Sequence, residues 1–338
     1  MPQPEPVGAP GPVAGVLGAV GRTPLVRLER LSPGPSARLY AKLESLNPGG
    51  SMKDRAAIGM VQGAIASGEL VPGRSTVVES SSGNLGIGLA QVCRWYDLRF
   101  ICVIDPKTTA QNIGILTAYG AELDTVTEPD NDLGDYLSAR IKRVRELVLT
   151  VPDAYWPNQY ANLLNARAQE TVMREISEAL DGRVDYLFVA TGSCGTIHGC
   201  MRYIAEHGLR TRVVAVDAEG SAIFGAAPCR RLIPGHGAAI RSALYYDGIA
   251  DSVTRVSDQD CVVGCRRLVG TEAILSGGSS GAVVSAVTQW LPRLPEDANC
   301  ALILPDRGER YLDTIYSDAW VFEKFGDIRH LWKEQAAC

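Results

Sequence analysis

The chain of 338 residues contains no uninterrupted apolar run approaching the roughly 18 residues that cross a bilayer. It also lacks the basic-then-apolar opening of a secretory leader. Basic charge is in deficit: 33 Lys and Arg stand against 38 Asp and Glu, a formal net charge of −5. A surface built to hold nucleic acid or anionic lipid needs the opposite balance, so neither partner is expected. Histidine is scarce, and His198, His207, His236 and His330 are scattered. The nine cysteines contain no C-x-x-C pair; Cys261 and Cys265 are four apart with no histidine pair beside them, which argues against a metal site. Scattered thiols in an enzyme-sized chain without a leader suit a reducing cytoplasm. Neither G-x-G-x-x-G nor a Walker loop occurs, which disfavours a dinucleotide or ATP. Internal repeats and heptads are also missing.

What is present is 46% hydrophobic residues, enough for a sizeable core, over a length that suggests two lobes. Residues 1–13, rich in Pro and Gly, read as a disordered tail. Strand patterns at 76–79, 99–104, 122–126, 186–190, 212–217 and 300–304 alternate with helix patterns. The helices fall at 87–95, 111–119, 134–148, 162–180, 197–206, 258–270 and 281–291. Such alternation predicts an α/β protein with mostly parallel sheets covered on both faces, and ligands at the carboxyl ends of the strands.

Four segments sit where that rule puts a site. Asn47-Pro-Gly-Gly-Ser-Met-Lys-Asp-Arg55 places Lys53 between a turn and an apolar-periodic helix (Ala56, Ile58, Met60, Val61, Ala64, Ile65). That mount suits an amine that forms a Schiff base with a carbonyl cofactor, although most lysines at helix starts are merely solvated. Glu79-Ser-Ser-Ser-Gly-Asn-Leu-Gly86 follows a strand and opens a helix, a place for a carboxylate anion, with Asn84 as a fixed donor. An ordinary capped turn competes evenly with that reading. Gly192-Ser-Cys-Gly-Thr196 offers backbone approach and hydroxyls to a single phosphate. Gly277-Gly-Ser-Ser-Gly281 could present a hydroxyl to a heterocyclic nitrogen, or simply cap a helix. The later segment Leu304-Pro-Asp-Arg-Gly-Glu-Arg-Tyr-Leu312 reads by itself as a structural loop.

In this order, and with Gly21-Arg-Thr-Pro-Leu-Val-Arg-Leu28 ahead of them, these motifs resemble the cysteine synthase/cystathionine β-synthase family of pyridoxal-phosphate enzymes. The resemblance covers roughly residues 16–316. It implies fold type II (tryptophan synthase β-like), a homodimer, and two lobes around a cofactor cleft. Residues 14–48 plus 161–325 would form the larger lobe, 49–160 a smaller mobile one, and 326–338 a tail. Lys53 would carry pyridoxal 5′-phosphate and move the substrate Cα proton. Asn84 would bond the ring 3′-hydroxyl, and Gly192, Ser193, Cys194, Gly195 and Thr196 would hold the phosphate. Ser279, with Ser280 as the alternative, would face the pyridine nitrogen, a weaker electron sink than an aspartate gives and one that suits β-elimination. Ser81, Ser82, Gly83 and Gln159 would grip the substrate α-carboxylate.

The sequence also departs from the family pattern. Cysteine synthases carry Thr-Ser-Gly-Asn-Thr-Gly where Ser81-Ser-Gly-Asn-Leu-Gly86 stands, so Leu85 replaces a hydrogen-bonding threonine. Their Gly-Thr-Gly-Gly-Thr becomes Gly192-Ser-Cys-Gly-Thr196, and Tyr160 stands where many relatives carry Phe. No haem-binding extension or long regulatory domain is found, which disfavours cystathionine β-synthase proper. The departures look like the branch that makes 2,3-diaminopropionate precursors for siderophores and peptide antibiotics. That branch implies a transferase joining O-phospho-L-serine and L-glutamate into N-(2-amino-2-carboxyethyl)-L-glutamate. Arg140, Ser193 and Tyr160 are candidates for the leaving phosphate. In the run Arg140, Lys142, Arg143, Arg145, however, an arginine is more often solvated. The alternative is a cysteine synthase using O-acetylserine or O-phosphoserine with sulfide. A non-catalytic binding protein of the same fold is opposed by the joint presence of Lys53, Asn84, Thr196 and Ser279. Trp320, Phe322, Phe325 and Trp332 are expected to cover a core edge or, less favoured, a dimer partner.

Overall fold

The computed structural model describes residues 11–32, 37–129, 136–227 and 229–332. In chain order its strands are β1 (Leu25–Leu28), β2 (Arg38–Leu43), β3 (Thr76–Ser80), β4 (Arg99–Ile104), β5 (Glu122–Thr125), β6 (Ala154–Tyr155), β7 (Tyr186–Ala190), β8 (Arg212–Ala218), β9 (Ser252–Val256) and β10 (Asn299–Leu304). The helices are α1 (Lys53–Ser67), α2 (Asn84–Trp95), α3 (Ala110–Ala118), α4 (Leu137–Thr150), α5 (Leu163–Ala179), α6 (Gly195–Glu206), α7 (Asp258–Glu272), α8 (Gly278–Trp290) and α9 (Asp318–Phe325).

Two sheets result, in the orders β1-β2-β10-β7-β8-β9 and β5-β4-β3-β6. Every pairing is parallel except β1 with β2. The central strands are aliphatic on both faces because helices cover both. In the larger sheet Phe188, Val214, Val216 and Leu302 pack on Val283, Val284 and Val287 of α8. Their alternate neighbours Leu187, Val189, Val213 and Ile303 pack on Met173 and Ile176 of α5 and Ile197 of α6. The smaller sheet buries Val77, Phe100 and Cys102 against Met60 of α1 and Leu89 of α2, and Val78, Ile101 and Val103 against Val144 of α4.

Helix α1 links the two layers. A Cβ at Gly59 would lie 2.6 Å from the Ala168 Cβ, and one at Gly63 would lie 2.5 Å from a Leu164 methyl. These glycines let α1 and α5 approach closely, which fixes the axis on which Lys53 is mounted.

The expected strands at 99–104 and 186–190 coincide with β4 and β7. β1, β2, β6 and β9 carried no strand expectation. Three helices begin earlier than periodicity suggests, at Asn84, Gly195 and Gly278, because the Gly/Ser loops themselves form the first turn. The expected helix at 134–148 runs Leu137–Thr150, with 134 and 135 outside the described residues. Residues 1–10 of the expected disordered tail and 333–338 of the C-terminal tail also lie outside them. Trp320, Phe325 and Trp332 pack on the larger core, while Phe322 is 66% exposed. No described helix is long and apolar enough to cross a membrane, and the eight described cysteines form no disulfide.

Candidate active site

Lys53 is the first residue of α1. The turn before it needs Gly50 at φ 84°, a left-handed conformation costly for other residues. The turn is tied to the segment after β10 by Met52 N–H donating to Pro305 O (2.9 Å) and Arg307 N–H donating to Gly50 O (3.2 Å). Two residues on, Arg55 forms buried ion pairs with Glu44 (2.8 Å) and with Glu175 of α5 (2.7 Å), and Lys42 of β2 joins Glu175 (2.6 Å). The start of α1 is therefore held by the loop after β10, by β2 and the residues following it, and by α5. Burial pushes the Lys53 amine below the usual lysine range, while nearby Asp306 partly opposes the shift. A lowered value favours the free amine that attacks a carbonyl.

One cavity of about 200 Å³ opens over this lysine. Its wall includes Lys53, Ser81, Ser82, Gly83, Asn84, Arg140, Gln159, Tyr160, residues 192–196 and Ser279, so the site candidates from sequence, the alternative Ser280 excepted, meet at one place. Helices α1, α2, α4, α6 and α8 each contribute a wall residue from the first turn, and none has a side-chain N-cap. Helices α3, α5, α7 and α9, which contribute none, are capped by Thr109, Asn162, Ser257 and Ser317. The first turn of α1 meets the Ser51 hydroxyl through Lys53 N–H (3.2 Å) and that of α2 meets Ser81, whereas the N-terminal N–H groups of α6 and α8, with their dipoles, make that side of the cavity a receptor for anionic groups.

Around the cavity the groups are individually oriented. The Ser81 hydroxyl accepts from Gly86 N–H (2.9 Å). Asn84 donates through Nδ2 to Asp306 Oδ2 (2.8 Å) and accepts from Arg310. Asp306 also accepts from the Tyr311 hydroxyl (2.6 Å), and its other oxygen is buried with no partner. Residues 304–312, read from sequence as structural, thus orient a cavity donor; the signal available was their place at the carboxyl end of β10. The Ser242 hydroxyl lies 2.7 Å from the carbonyl oxygens of both Ser193 and Tyr160. At Gly195 a Cβ would fall 2.5 Å from the Asn165 amide, so the phosphate-type loop tolerates no side chain there. Ser279 faces the cavity; the Ser280 hydroxyl is buried beside it, unpartnered and off the wall.

A lysine amine of lowered basicity, an uncapped glycine-bearing helix start, a fixed amide and a neutral hydroxyl around one cavity fit a phosphorylated aromatic aldehyde. The family described as pyridoxal-phosphate dependent enzymes matches residues 16–306. The chain belongs to this family. Its cofactor is pyridoxal phosphate. The N-(2-amino-2-carboxyethyl)-L-glutamate synthase of Ralstonia nicotianae is 45% identical over 307 residues, covering 90% of each chain. An O-acetylserine dependent cystathionine beta-synthase structure from Helicobacter pylori superposes with a TM-score of 0.84 at 31% identity, over 90% of this chain and 99% of that one. An O-ureido-L-serine synthase structure gives 0.83 at 30% identity, over 92% and 96%.

Two wall residues of this pyridoxal-phosphate enzyme are unusual physically. Cys194 adopts φ 63° at the N-cap of α6, a strained conformation for a residue with a Cβ. Burial pushes its thiol up to about 12, so it contributes bulk and not a thiolate. Arg140 is only 12% exposed on its side chain and pairs with Asp105 at 3.3 Å. Nη1 is the atom that faces Asp105, without hydrogen-bond geometry, and the buried Nε has no hydrogen-bond partner. Arg143, on the same helix, instead pairs with Asp124 and Glu146 outside the cavity wall. Arg140, a sequence candidate for the leaving phosphate, thus lines the cavity and is not a solvated arginine of a basic helix face.

Proposed function

We propose that the enzyme joins O-phospho-L-serine and L-glutamate by β-replacement, giving N-(2-amino-2-carboxyethyl)-L-glutamate and phosphate. The observation that carries this reading is Arg140: a largely buried guanidinium on the cavity wall, with Nη1 facing Asp105 at 3.3 Å without a hydrogen bond and Nε without a partner, has capacity for an anion beyond Asp105. The 45% identical relative supports the same reading. Bound pyridoxal phosphate supplies the electron sink for negative charge at the substrate Cα. It is held by Lys53, by residues 192–196 at its phosphate, by Asn84 and by Ser279. Residues 81–83 and Gln159 hold the α-carboxylate. The Lys53 amine takes the Cα proton and later returns it. Arg140, Ser193 and Tyr160 receive the departing phosphate, and the glutamate α-amine forms the new bond to Cβ.

The assembly in this reading is a cytoplasmic homodimer whose residues 49–160 move against 14–48 plus 161–325. The presence of the four-stranded sheet within the first of these segments supports that division. The product serves as a precursor of 2,3-diaminopropionate in siderophore biosynthesis.

Mass spectrometry of a reaction with pyridoxal phosphate, O-phospho-L-serine and L-glutamate, beside a tube containing sulfide, tests the reading. A glutamate adduct with phosphate release is expected; cysteine without adduct overturns it in favour of a cysteine synthase. A companion variant, Arg140→Gln, is expected to raise KM for O-phospho-L-serine by about tenfold or more, the loss of one charge-assisted contact. KM for O-acetyl-L-serine, whose β-group is uncharged, should change much less.

A further inference from the structure

Glu79 is a buried carboxylate, 1% exposed, that the roles above leave unused. It stands next to the last residue of β3, just before the substrate loop at 81–83. The parallel pairing of β3 with β6 covers only Thr76 with Ala154 and Val77 with Tyr155. Beyond it the two chains separate, and the Glu79 side chain spans the gap. Its Oε1 accepts from Ser80 N–H (2.8 Å) and from the Trp156 indole N–H (3.0 Å). Its Oε2 accepts from Gln159 N–H (3.3 Å). The Gln159 carbonyl is held from the other side by the Asn165 amide (2.8 Å). Ser81, in turn, is fixed to β4 by its N–H on Val103 O (3.2 Å) and by the Cys102 thiol on its carbonyl (3.1 Å).

We propose that Glu79 is a positioning residue that locks the two halves of the substrate-carboxylate site, residues 81–83 and 159–160, to one another. The inference rests on the reading above only in assigning those residues to the α-carboxylate. Positioning follows from the donor set: three N–H groups from two separate segments converge on one carboxylate, and only an acceptor-only side chain satisfies all three. An amide isostere keeps one oxygen for Ser80 and Trp156 but turns an NH₂ toward the Gln159 N–H. Donor then faces donor, and the segment carrying Gln159 is displaced while the β3 side stays in place.

Glu79→Gln tests this. KM for O-phospho-L-serine is expected to rise about tenfold or more, with kcat within about threefold. Deuterium uptake in a peptide covering 155–160 should quicken, and borohydride should still fix the cofactor to Lys53. An unchanged KM overturns the proposal whatever the exchange shows. So does loss of cofactor fixation together with a fall in kcat, which marks a general structural role. Should Glu79→Gln not fold, Trp156→Phe removes one donor and keeps the carboxylate. A KM rise of about twofold or more is then expected, and an unchanged KM overturns the idea. Both candidate reactions begin from a β-substituted L-serine, so KM is read with whichever donor the wild type turns over. Wild type that turns over neither sinks the proposed function instead, and the exchange at 155–160 then decides the lock.

Discussion

Lys53→Ala is expected to lower turnover by roughly 10³-fold or more, because it removes both the cofactor's covalent anchor and the group that moves the Cα proton. Borohydride followed by peptide mass analysis should find the cofactor on the peptide containing position 53 in wild type and nowhere in the variant. The fold should not suffer. An ammonium at a helix N-terminus opposes the helix dipole, and this one is also desolvated. The variant without cofactor should therefore unfold in denaturant no earlier than wild type without cofactor. Residual turnover near wild type, or a large fall in stability, would show that Lys53 has a different role.

Arg55→Ala is expected to be the most destabilising single change described here, by about 3–5 kcal/mol in denaturant unfolding. Removing the guanidinium leaves Glu44 and Glu175 buried with Lys42 as their remaining cation. Burial alone would raise the Glu175 carboxyl; Arg55 and Lys42 outweigh it and hold the group down at about 2. The folded value lies below the unfolded one of about 4.5. Its contribution is thus complete above pH 4.5 and is lost as pH falls toward 2. Wild type should weaken over that window, and the variant should show a shallower slope. Arg55→Lys should recover only part of the loss, since an ammonium cannot present the fork that bridges two carboxylates. A variant as stable as wild type would mean that the network contributes nothing net.

The site was legible in the sequence wherever chemistry is local. Each cavity loop joins a strand end to a helix start within a few residues, so residue type and position agree at Lys53, Asn84, Thr196 and Ser279. What escaped depends on distant pairing. β10 inserts between β2 and β7, so Leu302 pairs with both Ala41 and Phe188, and nothing near β2 announces that partner. The two-residue strand β6 owes its form to β3 beside it, whereas β9, with Val253, Thr254 and Val256, carries a strand signal of its own on which no expectation was placed. Asn84 meets Arg310 across 226 residues, and Glu79 meets Gln159 across 80. Arg140 was a candidate but could not be told from its neighbours for a related reason: Arg140, Lys142, Arg143 and Arg145 follow one another on α4, and only the packing shows which of them turns inward.

Helices α6 and α8, which open on the cavity without a side-chain cap, also bear on how the protein ages. An N-cap contributes about 1 kcal/mol per helix, so the chain forgoes about 2 kcal/mol there, which bound cofactor would offset. Mass action then makes the folded lifetime depend on how much pyridoxal phosphate is at hand. In a cell short of the vitamin, freshly made chains would fray first at the cleft, exposing the first turns of those helices to proteases. Abundance of the enzyme would then follow vitamin supply with no regulator involved.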